Sequence, residues 1–205
     1  PFEFYRVRYK YVQAELLLRK RFNDIFSVAV GPAYYHYWSD YKDNKTRILA
    51  NPSFIHTDSA SIFTVKDYAG GRFKLDITYV NDELLPKRGI IWNTELTSLY
   101  GLNSKSRNLT KFTSNMQVFA PISEDGKLYS VTRLGIGHIY SKNPEYFQAL
   151  DLGANNFVRG YRKERFSGTS VVYASFELRK RLFVSNSYVL PGDVGLIGFV
   201  DGGRV

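Results

Sequence analysis

Cysteine is absent from the 205-residue chain, which excludes disulfides and thiolate metal sites and means that no bridge is needed for stability. No apolar run approaches the roughly 20 residues of a membrane-spanning helix, and Pro1-Phe2-Glu3 opens the chain without a charged segment leading into an apolar one. Neither absence excludes a membrane barrel, whose strands cross a bilayer with about 10 residues each and need one apolar face. Catalytic signatures are missing too. His36, His56 and His138 stand far apart, and there is no His-Glu-x-x-His pair, phosphate-cradling Gly-Lys-Ser/Thr loop or Gly-x-Ser-x-Gly elbow. The expectation is a protein that is not an enzyme and carries no metal or cofactor.

What is present is apolar and aromatic material. With 44% hydrophobic and 16% aromatic residues, the chain can bury a core as one domain or line one wall of a larger one. Its formal charge of +9 invites a nucleic-acid reading, because clustered Lys and Arg release counterions from phosphates. Here the basic residues are spread out and alternate with apolar ones. They therefore read as a solvated or lumen-facing surface, with anionic lipid headgroups as the alternative partner and no nucleic acid.

Several segments alternate with period two for about ten residues, the pattern of strands with one apolar face. In 11–22, Val12, Ala14, Leu16 and Leu18 share a face opposite Gln13, Glu15, Arg19 and Arg21, and Asn23-Asp24 marks a tight turn into 26–38. In 71–80, Phe73, Leu75, Ile77 and Tyr79 oppose Arg72, Lys74, Asp76 and Thr78, so one face is wet. The pattern recurs in 89–100, 110–122, 128–140, 170–183 and 194–205. Gly135 and Gly137 leave gaps where something bulky can approach the wall.

This gives roughly eight strands and no convincing helix. Short connections at 23–24, 81–88, 123–126 and 184–193 alternate with longer ones at 40–62, 102–108 and 142–169. In an up-and-down barrel, successive connections fall on opposite rims, so this alternation sorts the long loops to one side. A β-sandwich has no reason to do so. Tyr34, Tyr35, Tyr37 and Trp38 crowd one strand end, with Tyr100 and Tyr140 near corresponding ends; they form either a headgroup girdle or an aromatic core cluster.

The most specific signal lies near the end. Val158-Arg159-Gly160-Tyr161 sits in the longest loop, and Gly195, Phe199, Asp201 and Gly203 lie on the last strand in a Gly-x-x-x-Phe-x-Asp-x-Gly pattern. Between them is Phe176-Glu177-Leu178-Arg179. Taken in order, these elements resemble the C-terminal barrel of the outer-membrane superfamily of BamA, TamA and the two-partner secretion transporters, the bacterial surface antigen family. The resemblance departs from the family pattern just upstream of Val158, where Gly153 is followed by Ala154 instead of a second glycine.

The resemblance implies that the long loop folds into the barrel lumen and that Arg159 contacts Asp201 and the aromatic Phe199. The chemistry suits this, since Arg stays charged and its planar fork matches a carboxylate bidentately and stacks on a ring. Period two puts Phe199 and Asp201 on one face. Glu177 lies on the wet face of a strand expected beside that of Asp201, which makes it a second carboxylate partner. Gly160 permits a tight turn, and Tyr161 is expected against the lumen wall. Asp201-Gly202-Gly203 also reads as a turn.

In fold, the resemblance implies an all-β, antiparallel up-and-down transmembrane barrel of about 16 strands, of which residues 1–205 form an internal part with strands missing at both ends. In function, it implies a bacterial outer-membrane protein for insertion or translocation of other proteins. Its partners would be outer-membrane lipids, client outer-membrane or secreted polypeptides and accessory periplasmic proteins. Two alternatives stand beside it: an outer-membrane anchor or secretion barrel for a fused hydrolase, and a porin-like or soluble ligand-binding barrel.

Overall fold

The computed structural model describes residues 4–51, 61–141, 144–153, 158–162, 165–189 and 191–205. Ala154 and His56 lie outside them. Among the described residues, nearly all regular structure is antiparallel sheet.

The strands are β1 (Lys10–Glu15), β2 (Leu18–Arg21), β3 (Phe26–Trp38), β4 (Lys66–Val80), β5 (Gly89–Gly101), β6 (Leu109–Pro121), β7 (Leu128–Ile139), β8 (Leu150–Leu152), β9 (Phe166–Gly168), β10 (Ser170–Asn186) and β11 (Pro191–Arg204). A short helix, α1 (Tyr41–Asn44), sits in the β3–β4 connection. The large sheet runs β1-β3-β4-β5-β6-β7-β10-β11, with β2 also on β3, and β8 and β9 form a separate pair. Each long strand neighbours the next in sequence. That is a meander, and it leaves β1 and β11 at the two edges.

β1 and β2 belong to one strand line, since both pair with β3 in a single register. The interruption falls opposite Pro32. Leu16 donates its N–H to the Pro32 carbonyl at 3.1 Å, but proline has no N–H to return. The expected strand at 11–22 is therefore present in two pieces.

Alternation sorts the side chains as the period-two pattern requires. Val12, Val30, Leu96, Leu134, Val172, Phe176, Leu196 and Val200 face outward and stay exposed. The inner face carries Glu15, Arg72, Glu95, Arg133, Glu177 and Arg179, tied into ion pairs. An apolar outside around a charged inside suits lipid outside and a wet lumen.

The aromatic cluster on β3 divides between the faces. Tyr34 and Trp38 face outward at the rim where the long connections lie, as do Tyr100 and Tyr140. Tyr35 and Tyr37 face inward. Tyr35 is buried, and Tyr37 stacks on Phe147 with ring centroids 4.2 Å apart. Together with Tyr68, Leu99, Leu109, Ile139 and Leu150 they form an apolar plug in the upper lumen. The aromatics thus divide, one set on the outer face and one in the inner core cluster.

The β10–β11 turn is tighter than expected. β10 runs to Asn186 and β11 starts at Pro191, so only 187–190 connect them. The register shifts between Arg181 and Phe183, and this bulge breaks the alternation in Leu182-Phe183-Val184 that would mark a strand.

Candidate functional site

The connection from β7 to β10 turns back over the inner face instead of leaving the rim. It makes a 3-10 turn at Tyr146–Gln148, then β8, whose pairing with β9 closes the base of the loop. Val158 donates its N–H to the Gly153 carbonyl at 3.2 Å and is buried against Leu152 and Tyr173. That contact delivers Arg159 to the wall between β10 and β11.

Two facing pairs make the receiving patch. Ser175 lies directly opposite Asp201, and Glu177 directly opposite Phe199, in the antiparallel register of β10 with β11. Period two turns all of them to the inner face. Asp201 and Glu177 are only 4% and 2% exposed at their side chains, so each carboxylate requires a partner.

Arg159 supplies it to both. Nε donates to Asp201 Oδ2 and Nη2 to Asp201 Oδ1, each at 2.7 Å, the parallel fork that suits a carboxylate. The Arg159 backbone N–H donates to the same Oδ2 at 3.0 Å. Nη2 also reaches Ser175 Oγ at 3.1 Å, and Nη1 lies 2.9 Å from Glu177 Oε1. The guanidinium carbon sits 3.7 Å from the centroid of the Phe199 ring, a cation–π stack. The hydrogen bonds to Asp201 raise the guanidinium pKa above its ordinary value.

Glu177 is a hub. Besides Arg159 it takes Arg133 Nη1 at 3.1 Å and Arg179 Nη2 at 2.6 Å, while Arg133 Nε donates to Gln117 at 3.3 Å. The network therefore spans β6, β7, β10 and β11.

The other residues singled out from sequence have distinct places. Gly160 has φ of +90° and open space around its Cβ position, so it serves the turn and not a close approach. Tyr161 is half-exposed and meets Phe166 edge-on at 5.2 Å, within the loop itself. A Cβ on Gly195 would lie 2.7 Å from the Lys180 carbonyl oxygen, and one on Gly203 would lie 2.9 Å from Leu152 Cδ1. Gly203 thus leaves room for a leucine of the loop. Asp201-Gly202-Gly203 is strand, not turn.

Three contacts had escaped the sequence. Ser175 completes the Asp201 site, donating to Oδ1 at 2.7 Å, and its only signal is sharing a face with Tyr173 and Glu177. Arg133 joins from a strand with blurred alternation. Glu145, paired with Lys66 from the same long loop, belongs to no motif.

A loop arginine held by β11 is what the resemblance implies. Residues 2–205 match the Omp85 superfamily domain. The chain belongs to the Omp85 superfamily. Among solved structures it is similar to BamA from Haemophilus ducreyi lacking POTRA domains 1–3, with a TM-score of 0.71 at 17% identity, covering 96% of this chain and 42% of that one. A search of curated proteins found no match. The chain thus spans less than half the length of the BamA structure it resembles. As an Omp85 domain with an apolar outer face, it is a bacterial outer-membrane barrel element.

Proposed function

We propose that this Omp85 chain forms part of the wall of an outer-membrane barrel that inserts or translocates other polypeptides, with Val158 to Tyr161 locking the long loop inside the lumen. The observation that carries this reading is the Arg159 site. One loop residue engages Asp201 through backbone and side chain, stacks on Phe199 and reaches Glu177. The exposed edges of β1 and β11 support a wider barrel, because unpaired backbone groups are not tolerated in lipid. Clients, lipids and accessory periplasmic proteins are then the partners of the whole protein.

The test uses the full-length protein in proteoliposomes, measuring insertion of a client barrel by its acquired protease resistance. Arg159→Ala is expected to lose most of the activity, while Arg165→Ala, a change at an exposed residue of the same loop, keeps it. Equal activity of the two variants would overturn the lock.

A further inference from the structure

The loop that carries Arg159 is fastened at a second place. Glu145, just ahead of the 3-10 turn, pairs with Lys66 at the start of β4, and their side chains are 4% and 1% exposed. Lys66 also donates to the carbonyl of Lys105, in the β5–β6 connection, at 3.1 Å. Glu145 is oriented by Gln148, whose side-chain oxygen accepts its N–H at 3.0 Å while the Glu145 side chain accepts the Gln148 N–H. Between this pair and Arg159, the loop presses leucines into glycine gaps of the wall. A Cβ on Gly137 would lie 3.0 Å from Leu150 Cδ1, and Leu152 occupies the gap at Gly203. The loop therefore touches β4 at Lys66, β7 at Gly137 and β11 at Gly203, strands that are not neighbours in the sheet.

We propose that Lys66 and Glu145 are positioning residues: a second anchor that sets where Arg159 meets Asp201, making the loop a strut between β4 and β11. This deepens the lock reading and rests on it. A fully buried ion pair gains little net stability, because desolvation offsets attraction, but it excludes arrangements that leave either charge alone. A bidentate grip at Asp201 tolerates little displacement, so an upstream constraint on the loop is felt there. A purely local pair would close the upper lumen and leave Arg159 indifferent.

Hydrogen exchange by mass spectrometry on the full-length protein in nanodiscs separates the two. In Lys66→Gln and Glu145→Gln, peptides covering 158–162 are expected to exchange at least about tenfold faster, and the exchanged pair Lys66→Glu with Glu145→Lys to recover most of the protection. Faster exchange confined to 144–152 would overturn the proposal. So would loss of folded protein in both single variants that the exchanged pair fails to reverse. Arg159→Ala reports on the other reading: unchanged exchange at 158–162 in that variant would remove the lock at Asp201, whatever happens at Lys66.

Discussion

Tyr173 occupies the space that a side chain at Gly135 would need: a Cβ there would lie 2.1 Å from Tyr173 Cζ. The two face each other across the β7–β10 ladder, and the laid-down ring lets the Tyr173 hydroxyl hydrogen-bond Asn115 on β6. Gly135→Ala must lift the ring and lose that bond. We expect a loss of about 1–3 kcal/mol in barrel stability, read as the urea midpoint in liposomes. Gly135→Ala combined with Tyr173→Ala should add less than the sum of the single losses, because the clash is then gone. Strict additivity would rule out the packing account.

At the lock, the damage from Arg159→Ala falls mainly on Asp201. Glu177 retains Arg133 and Arg179, whereas among the described residues Asp201 retains only Ser175 as a side-chain hydrogen-bond donor. Arg159 keeps 32% of its side chain exposed, so the expected loss is about 2–3 kcal/mol, below that of a fully buried pair. Removing the stranded charge as well should help. Arg159→Ala with Asp201→Asn is expected to be more stable than Arg159→Ala alone, by the same urea midpoint; a lower midpoint would place the main damage elsewhere. Lysine at 159 should recover only part of the loss, since it cannot form the fork.

The strand plan was legible because lipid on one face and water on the other enforce period two, and β3 to β7 lie within a few residues of the segments read from alternation. Where that physics changes, legibility ends. The start of β4, from Lys66 to Gly70, was not legible because, near the rim, polar Asp67 turns outward and Tyr68 inward, reversing the expected polarity. The β10–β11 end was hidden by a bulge. At the site, Arg159, Asp201, Phe199 and Glu177 were recognisable through a family pattern, and their shared face followed from parity. Ser175, Arg133 and the Lys66–Glu145 pair depend on which strands and loops become neighbours, which no local pattern encodes.

Gly160 and Gly198 both have open space where a Cβ would go, yet they should respond differently to alanine. Gly160 holds φ at +90°, a conformation alanine adopts only under strain, so Gly160→Ala is expected to cost about 1–2 kcal/mol and to weaken protection of residues 158–162. Gly198 lies within β11 and shows no such backbone conformation. Alanine there should be neutral within about 0.5 kcal/mol. Matching effects at the two positions would mean that backbone strain is not what fixes Gly160.

Leu196 and Ile197 offer a direct test of which face meets lipid. They are adjacent on β11 and similarly exposed, 64% and 58%, so accessibility alone predicts the same tolerance for charge. Their environments differ. Leu196 shares the outward face with Val200, whereas Ile197 points inward beside Phe199 and Asp201, opposite Arg179. An arginine on the lipid face costs up to about 2–4 kcal/mol near the bilayer midplane, whereas one in a water-filled lumen is solvated. Leu196→Arg should therefore slow folding into liposomes and lower the urea midpoint. Ile197→Arg should change the midpoint by less than about 1 kcal/mol, its remaining penalty coming from the neighbouring Arg179 charge and falling with added salt. If Ile197→Arg proved the more damaging, the inner face would be the one against hydrocarbon, and Arg159, Asp201 and Glu177 could not be a lumenal site.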